Sequence, residues 1–172
     1  LELWKSKEDR FRSVNLQPFI DDGTILGNVL ADEWHDGSNW NGQPVPYADI
    51  EASAAYSKSI WPNMPTGGGT NPAFLAGAPF QWVALDFTIT PYGTNRGDIN
   101  TFLNTQTAAA QAEGLTYYAS INVINGGTGG GNVSAEQLQS WGSLFLNHPT
   151  VCGLTMWTWN NEDGAYFRGA SI

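Results

Sequence analysis

Ile25-Leu26-Gly27-Asn28-Val29-Leu30-Ala31 runs directly into Asp32-Glu33-Trp34-His35-Asp36. The first seven residues are short and apolar, the pattern of a strand buried on both faces of a parallel sheet. The next five put acids, an indole and an imidazole where such a strand hands over to its loop. A doubly wound open sheet usually carries a glycine-rich phosphate turn after its first strand. Acids in that place favour the other parallel arrangement, a (β/α)8 barrel, whose functional groups gather at the carboxyl ends of the strands.

The flanking sequence alternates in the same way. Trp4, Lys7, Phe11 and Val14 fall at helical spacing and Pro18 ends that segment. After a polar loop, residues 46–61 read as a helix with Tyr47, Ile50, Ala54 and Trp61 on one face. Met64-Pro65-Thr66 reads as a short strand and Gly67-Gly68-Gly69 as flexible loop, with one helical turn over residues 71–76. Trp82-Val83-Ala84-Leu85-Asp86-Phe87 reads as a strand that closes near Asp86. Residues 98–113 form the clearest helix, with Ile99, Phe102, Leu103, Gln106, Ala109 and Ala110 on one face and Gly114 as the stop. Residues 115–123 are β-rich and lead to Asn122 and Asn125. Ser134 and Gln137 make a capping box for a helix that presents Leu138, Trp141 and Phe145. Pro149 follows, and a last strand over residues 151–159 empties into Asn160-Asn161-Glu162-Asp163.

Five strands are therefore expected, near Leu26, Met64, Val83, Tyr117 and Leu154. A complete barrel takes about 250 residues, against 172 here. Strand number and shear must match before such a sheet can close. The expectation is one α/β domain, residues 1–172, forming the C-terminal part of a TIM barrel in about five βα units. The remaining wall, about three further units, would come from chain before Leu1 or from a partner subunit.

Charged residues make up 13% of the chain, about half the usual share. Gly, Asn, Thr, Ser and aromatics take their place, giving a neutral hydrogen-bonding surface with eight Trp available for stacking. A net charge of −9 repels polyanions, which argues against nucleic acid and anionic membrane as partners. No run of apolar residues is long enough to span a bilayer. Acidity, few lysines and the Asn132-Val133-Ser134 sequon lean towards an extracellular or cell-surface location. Cys152, in the apolar run Val-Cys-Gly-Leu, reads as a buried small hydrophobe, and a single cysteine makes no internal disulfide.

Candidate chemistry follows from the strand ends. Asp32, Glu33 and His35 follow the first strand, Asp86 a middle one, Asn122 and Asn125 the penultimate, and Trp157, Trp159, Asn160 and Glu162 the last. Glycoside cleavage needs two carboxyl groups, one to protonate the leaving oxygen and one to attack or to activate water. Asp32, Glu33 and Asp86 are the catalytic candidates. His35, Trp40, Asn122, Asn125, Trp157, Trp159 and Asn160 are candidates for holding hydroxyls and stacking on sugar rings. No metal or cofactor is expected, because neither His35 nor His148 has a second cluster at ligand spacing and the glycine triplets lack the Lys of a phosphate loop. His148 reads as a helix-end residue. Structural roles stand beside these: Asp32 and Glu33 can cap the following loop or pair with Arg168, and Asp86 can hydrogen-bond inside the barrel. Trp157 and Trp159 alternate along a strand, so only one lines the mouth.

Leu30 to Asp36, followed by Asn39-Trp40-Asn41-Gly42, resembles the xDEP-H-D-x-x-W-G segment of uncharacterised TIM-barrel proteins related to glycoside hydrolases. Residues 121–127 and 152–167 look similar to the same group, and Trp34 stands where that segment has proline. The resemblance implies a barrel acting on a glycan. In many retaining glycosidases an acid/base Glu closes the fourth strand and a nucleophilic Glu the seventh. With the last strand here taken as the eighth, Glu33 occupies the first place and Asn122 the second. Another glycosidase clan has Asp nucleophile and Asp acid/base after strands four and six, places that Asp32 and Asp86 match by position. The competing expectation is a non-catalytic barrel that binds carbohydrate or assembles with partners.

Overall fold

A computed structural model of the chain describes residues 2–122 and 133–157. Helices α1 (Glu2–Asp9) and α2 (Gln17–Asp21) precede strand β1 (Asn28–Asp32). There follow α3 (Tyr47–Ile60), β2 (Thr66–Gly69), β3 (Phe87–Tyr92), α4 (Ile99–Ala112), β4 (Thr116–Asn122), α5 (Ala135–Asn147) and β5 (Val151–Trp157). The five strands make one sheet in the order β1-β2-β3-β4-β5, every neighbouring pair parallel. A doubly wound sheet reverses strand order at a switch point; none is present among the described strands. Right-handed crossovers then carry successive connections to the same side. Contacts agree: α3 packs on β1 and β2, α4 on β3 and β4, α5 on β5, and α4 touches α5. The fold is an α/β arrangement of interleaved helices and parallel strands.

The helices start and stop where local chemistry requires. Asp98 accepts the Thr101 N–H at 2.8 Å as the N-cap of α4. Gly114 ends that helix at φ 74°, a left-handed value that costs glycine little. Ser134 and Gln137 form the expected capping box, and His148 is the C-cap of α5. The first helix stops at Asp9, short of Phe11 and Val14, so Pro18 does not end it; Pro18 instead stands in the first turn of α2, where its fixed φ fits.

The core lies between the helices and one face of the sheet. Tyr92 from β3 meets Phe102 of α4 and Trp141 and Phe145 of α5, with ring centroids 4.9–6.0 Å apart. Tyr117, Ala119 and Ile121 line the same face, and Leu103 and Phe145 have no exposed surface. Burying one such side chain stabilises by about 1.5–3 kcal/mol. On α4, Thr107 is buried where Ala109 was expected; its hydroxyl donates to the Leu103 carbonyl at 2.7 Å, which satisfies it locally.

Three local expectations are corrected. Gly67-Gly68-Gly69 is no loop but the greater part of β2, because its neighbours leave no room for side chains. A Cβ at Gly67 would overlap Phe87, one at Gly68 would overlap Trp34, and one at Gly69 would overlap the Asp32 carboxylate. The strand expected over 82–87 begins only at Phe87. Glu51 of α3 accepts the N–H groups of Val83, Ala84 and Leu85 at 3.0, 2.7 and 3.3 Å, so these donors need no ladder partner. Cys152 is exposed rather than buried. It lies at the foot of the edge strand β5 and faces an open cleft beside Gln111 and Thr150.

Candidate active site

Asp32 is the last residue of β1, in register with Gly69 at the end of β2. Because Gly69 lacks a side chain, the Asp32 carboxylate lies directly against its Cα. Glu33 then turns the chain sharply at φ 44°, a left-handed conformation that costs a non-glycine residue about 1–2 kcal/mol. Its N–H donates to the Gly69 carbonyl at 2.5 Å, which anchors the turn to β2. The Glu33 carboxylate accepts from Asn39 Nδ2 at 2.9 Å, so part of its role is to hold the following loop.

Trp34 follows, fully buried over Gly68. Its carbonyl accepts the Val45 N–H at 2.8 Å, which closes the loop on itself. His35 emerges beyond it. Its Nδ1 lies 2.7 Å from Thr70 Oγ1, and its ring stacks on Phe74 with centroids 4.0 Å apart and planes 14° from parallel. Thr70 is itself fixed: its carbonyl accepts the hydroxyls of Thr88 at 2.6 Å and Thr90 at 3.0 Å, all three residues being buried. Trp40 folds back and donates its Nε1 hydrogen to the Asp32 carbonyl at 3.2 Å, leaving over a third of its surface exposed. Asp36 caps the short 3-10 turn Gly37–Asn39 by accepting the Ser38 N–H at 2.9 Å.

Asp32, Glu33, His35 and Trp40 thus stand together where β1 ends, as the sequence led us to expect. Thr70, Phe74 and Asn39 join them without having been anticipated. The turn that carries Phe74 was legible, since Asn71 followed by Pro72 is a start signal and Asn71 accepts the Ala73 N–H at 3.0 Å. Its contact with His35 depends on the pairing of β1 with β2.

Burial pushes the Asp32 carboxyl above its ordinary range, and the neighbouring Glu33 charge adds to the effect. The Glu33 N–H and His35 pull in the opposite direction more weakly. Asp32 as a whole is exposed to solvent, and the close approach of the Gly69 backbone crowds its carboxylate on one side. A carboxyl that holds its proton more tightly is suited to donating it.

Asp86 does not belong to this group. Since β3 begins after it, Asp86 lies at the amino end of the sheet, opposite Asp32. It accepts from Lys58 Nζ at 2.7 Å and from the Thr66 N–H at 2.8 Å, tying α3 and β2 to the start of β3. Asn122 ends β4 and is in register with Trp157 of β5, so both backbones reach the same end of the sheet as Asp32. Asn125, Trp159, Asn160, Glu162 and Arg168 lie outside the described residues. Among the described residues no three His, Cys, Asp or Glu side chains stand close enough to hold a metal, and no helix is long and apolar enough to cross a membrane. No protein-family model and no curated protein matches the chain.

Proposed function

We propose that this chain is a glycoside hydrolase-like, carbohydrate-active protein whose site is the mouth of a (β/α)8 barrel. The observation that carries the reading is the group at the end of β1. There Asp32, its carboxyl pushed above the ordinary range by burial, stands beside Glu33, with the exposed Trp40 and the Phe74–His35 stack nearby. Successive strand residues normally face opposite ways, but the left-handed turn at Glu33 breaks that alternation and brings the second acid to the loop side. In this reading Asp32 donates a proton to the leaving oxygen and Glu33 supports the attack on the anomeric carbon. Trp40 and Phe74 offer flat apolar faces to a pyranose ring. The strand order, which never reverses, supports the barrel. So do the two edge strands, where Val29 and Met156 stand about half exposed, as expected if further strands cover them. The acidic composition and the sequon support an extracellular or cell-surface location.

A second reading, a barrel that binds glycan without cleaving it, is favoured by one finding. Asp86, the acid that chain order offers as the partner, sits at the opposite end. Incubation with a panel of neutral oligosaccharides, followed by reducing-end release and calorimetry, separates the two. Release lost in Asp32→Asn supports hydrolysis. Heat of binding without release supports the second reading, and neither signal on any glycan overturns both.

A further inference from the structure

A recess lies at the amino end of the sheet, under α1. It encloses about 250 Å³ and is walled mostly by Trp4, Phe11, Ile25, Trp61 and Met64. Three polar residues reach it: Lys7, Glu8 and Asn28. Asn28 Nδ2 donates both its hydrogens, to Glu8 Oε1 at 2.6 Å and to Ser57 Oγ at 2.9 Å. The other carboxylate oxygen, Glu8 Oε2, is buried and has no partner. Leaving such a group unmatched is costly, and burial accordingly pushes the Glu8 carboxyl above its ordinary range. Glu8 lines the recess but Oε2 is covered, so pairing with a ligand requires the carboxylate to turn about its soft terminal torsion and to loosen the Asn28 bond, a loss that the ligand's donor must offset.

We propose that this recess binds a small organic ammonium ion with an apolar tail, its charge paired with Glu8. A ligand there must bring a donor for Oε2. A cation brings one and compensates the buried charge as well. Faces of Trp and Phe attract an ammonium group further, and the net charge of −9 favours cations over anions. A polyol fits less well, because most of its hydroxyls would meet Ile25, Met64 and aromatic carbon without partners. Lys7 does not fill the place. It neighbours Glu8 on one helix, where adjacent positions face different ways, and it is exposed.

The test is an NMR titration of the full chain with n-butylammonium, n-butanol and butyrate, following the indole N–H signals of Trp4 and Trp61. Saturable shifts with butylammonium alone are expected. Glu8→Gln should weaken that binding about ten- to a hundredfold, the loss expected for a charge-assisted hydrogen bond, while Lys7→Met should retain it. Absence of saturation in the parent overturns the proposal, as does an equal response to butanol or undiminished binding in Glu8→Gln. Saturation that emerges only in Lys7→Met would mean that Lys7 occupies the recess, which overturns it equally. The three-ligand comparison on the parent decides the matter even if Glu8→Gln folds poorly.

Discussion

At the amino end of the sheet, Asp86 is matched by the Lys58 ammonium at 2.7 Å and the Thr66 N–H at 2.8 Å. At the carboxyl end, Asp32 and Glu33 sit side by side with no ion pair among the described residues. The difference is one of compensation. Asp86 has its charge neutralised and its oxygens bonded, so it serves as a tie between α3, β2 and β3. Asp32 and Glu33 repel one another on a left-handed turn, an arrangement that contributes nothing to stability by itself. That contrast in compensation and backbone strain is what the proposed catalytic reading of Asp32 and Glu33 rests on.

The largest effect should be on turnover. If a glycan is cleaved, Asp32→Asn should lower kcat by about three orders of magnitude or more, as loss of a proton donor does. Asp86→Asn should leave kcat near the parent value wherever the protein stays folded. A comparable loss in Asp86→Asn would abolish the distinction between the two ends.

Stability should divide the other way. Asp86→Ala strands the Lys58 ammonium and the Thr66 N–H, and should cost about 1–3 kcal/mol, read as a lower urea midpoint at unchanged slope. Asp32→Ala should cost less; a greater cost would mean that Asp32 is architectural. Gly69→Ala joins the two properties. Its Cβ would collide with the Asp32 carboxylate, so about 1–3 kcal/mol of overpacking should accompany lost activity. Unimpaired activity in that variant would separate Asp32 from the mechanism.

The smallest effect concerns pH. Asp32 is raised in the folded state, so folding takes up a proton between the ordinary aspartate value of about 3.9 and the raised one. Its stabilising contribution is full below that window and is lost as pH rises through the folded value. Glu8 is raised as well and acts in the same direction. The informative quantity is therefore the difference between parent and Asp32→Asn in denaturation across mildly acidic pH. The decline with rising pH should be shallower in Asp32→Asn; identical slopes would show that Asp32 titrates normally.

The five strands and their order were largely legible, because Asn28–Asp32, Thr116–Asn122 and Val151–Trp157 lie within apolar or β-branched runs that end in polar groups. Helix α4 was legible from its Asp98 cap, apolar face and Gly114 stop. Two strands were disguised. In β2 glycine replaces the usual β-formers to make room for Phe87, Trp34 and the Asp32 carboxylate, a demand visible only once neighbours are placed. In β3 the buried face carries Thr88 and Thr90, whose hydroxyls are satisfied by the Thr70 carbonyl, while the more apolar stretch before it forms a loop held by Glu51. That displacement moved Asp86 from one end of the sheet to the other. At the site, Asp32, Glu33 and His35 were readable from position alone. Thr70 and Phe74 were not, because they meet His35 only through the register of β1 with β2.

The exposed Cys152 has a practical consequence. It is the sole thiol of the chain and lies at the foot of β5, away from Asp32, so a spin label or fluorophore can be attached there without removing competing cysteines. A second probe introduced next to Trp40 would turn the sheet into a ruler. Separations measured between the two labels in solution would report whether the two edges of the sheet curve towards one another.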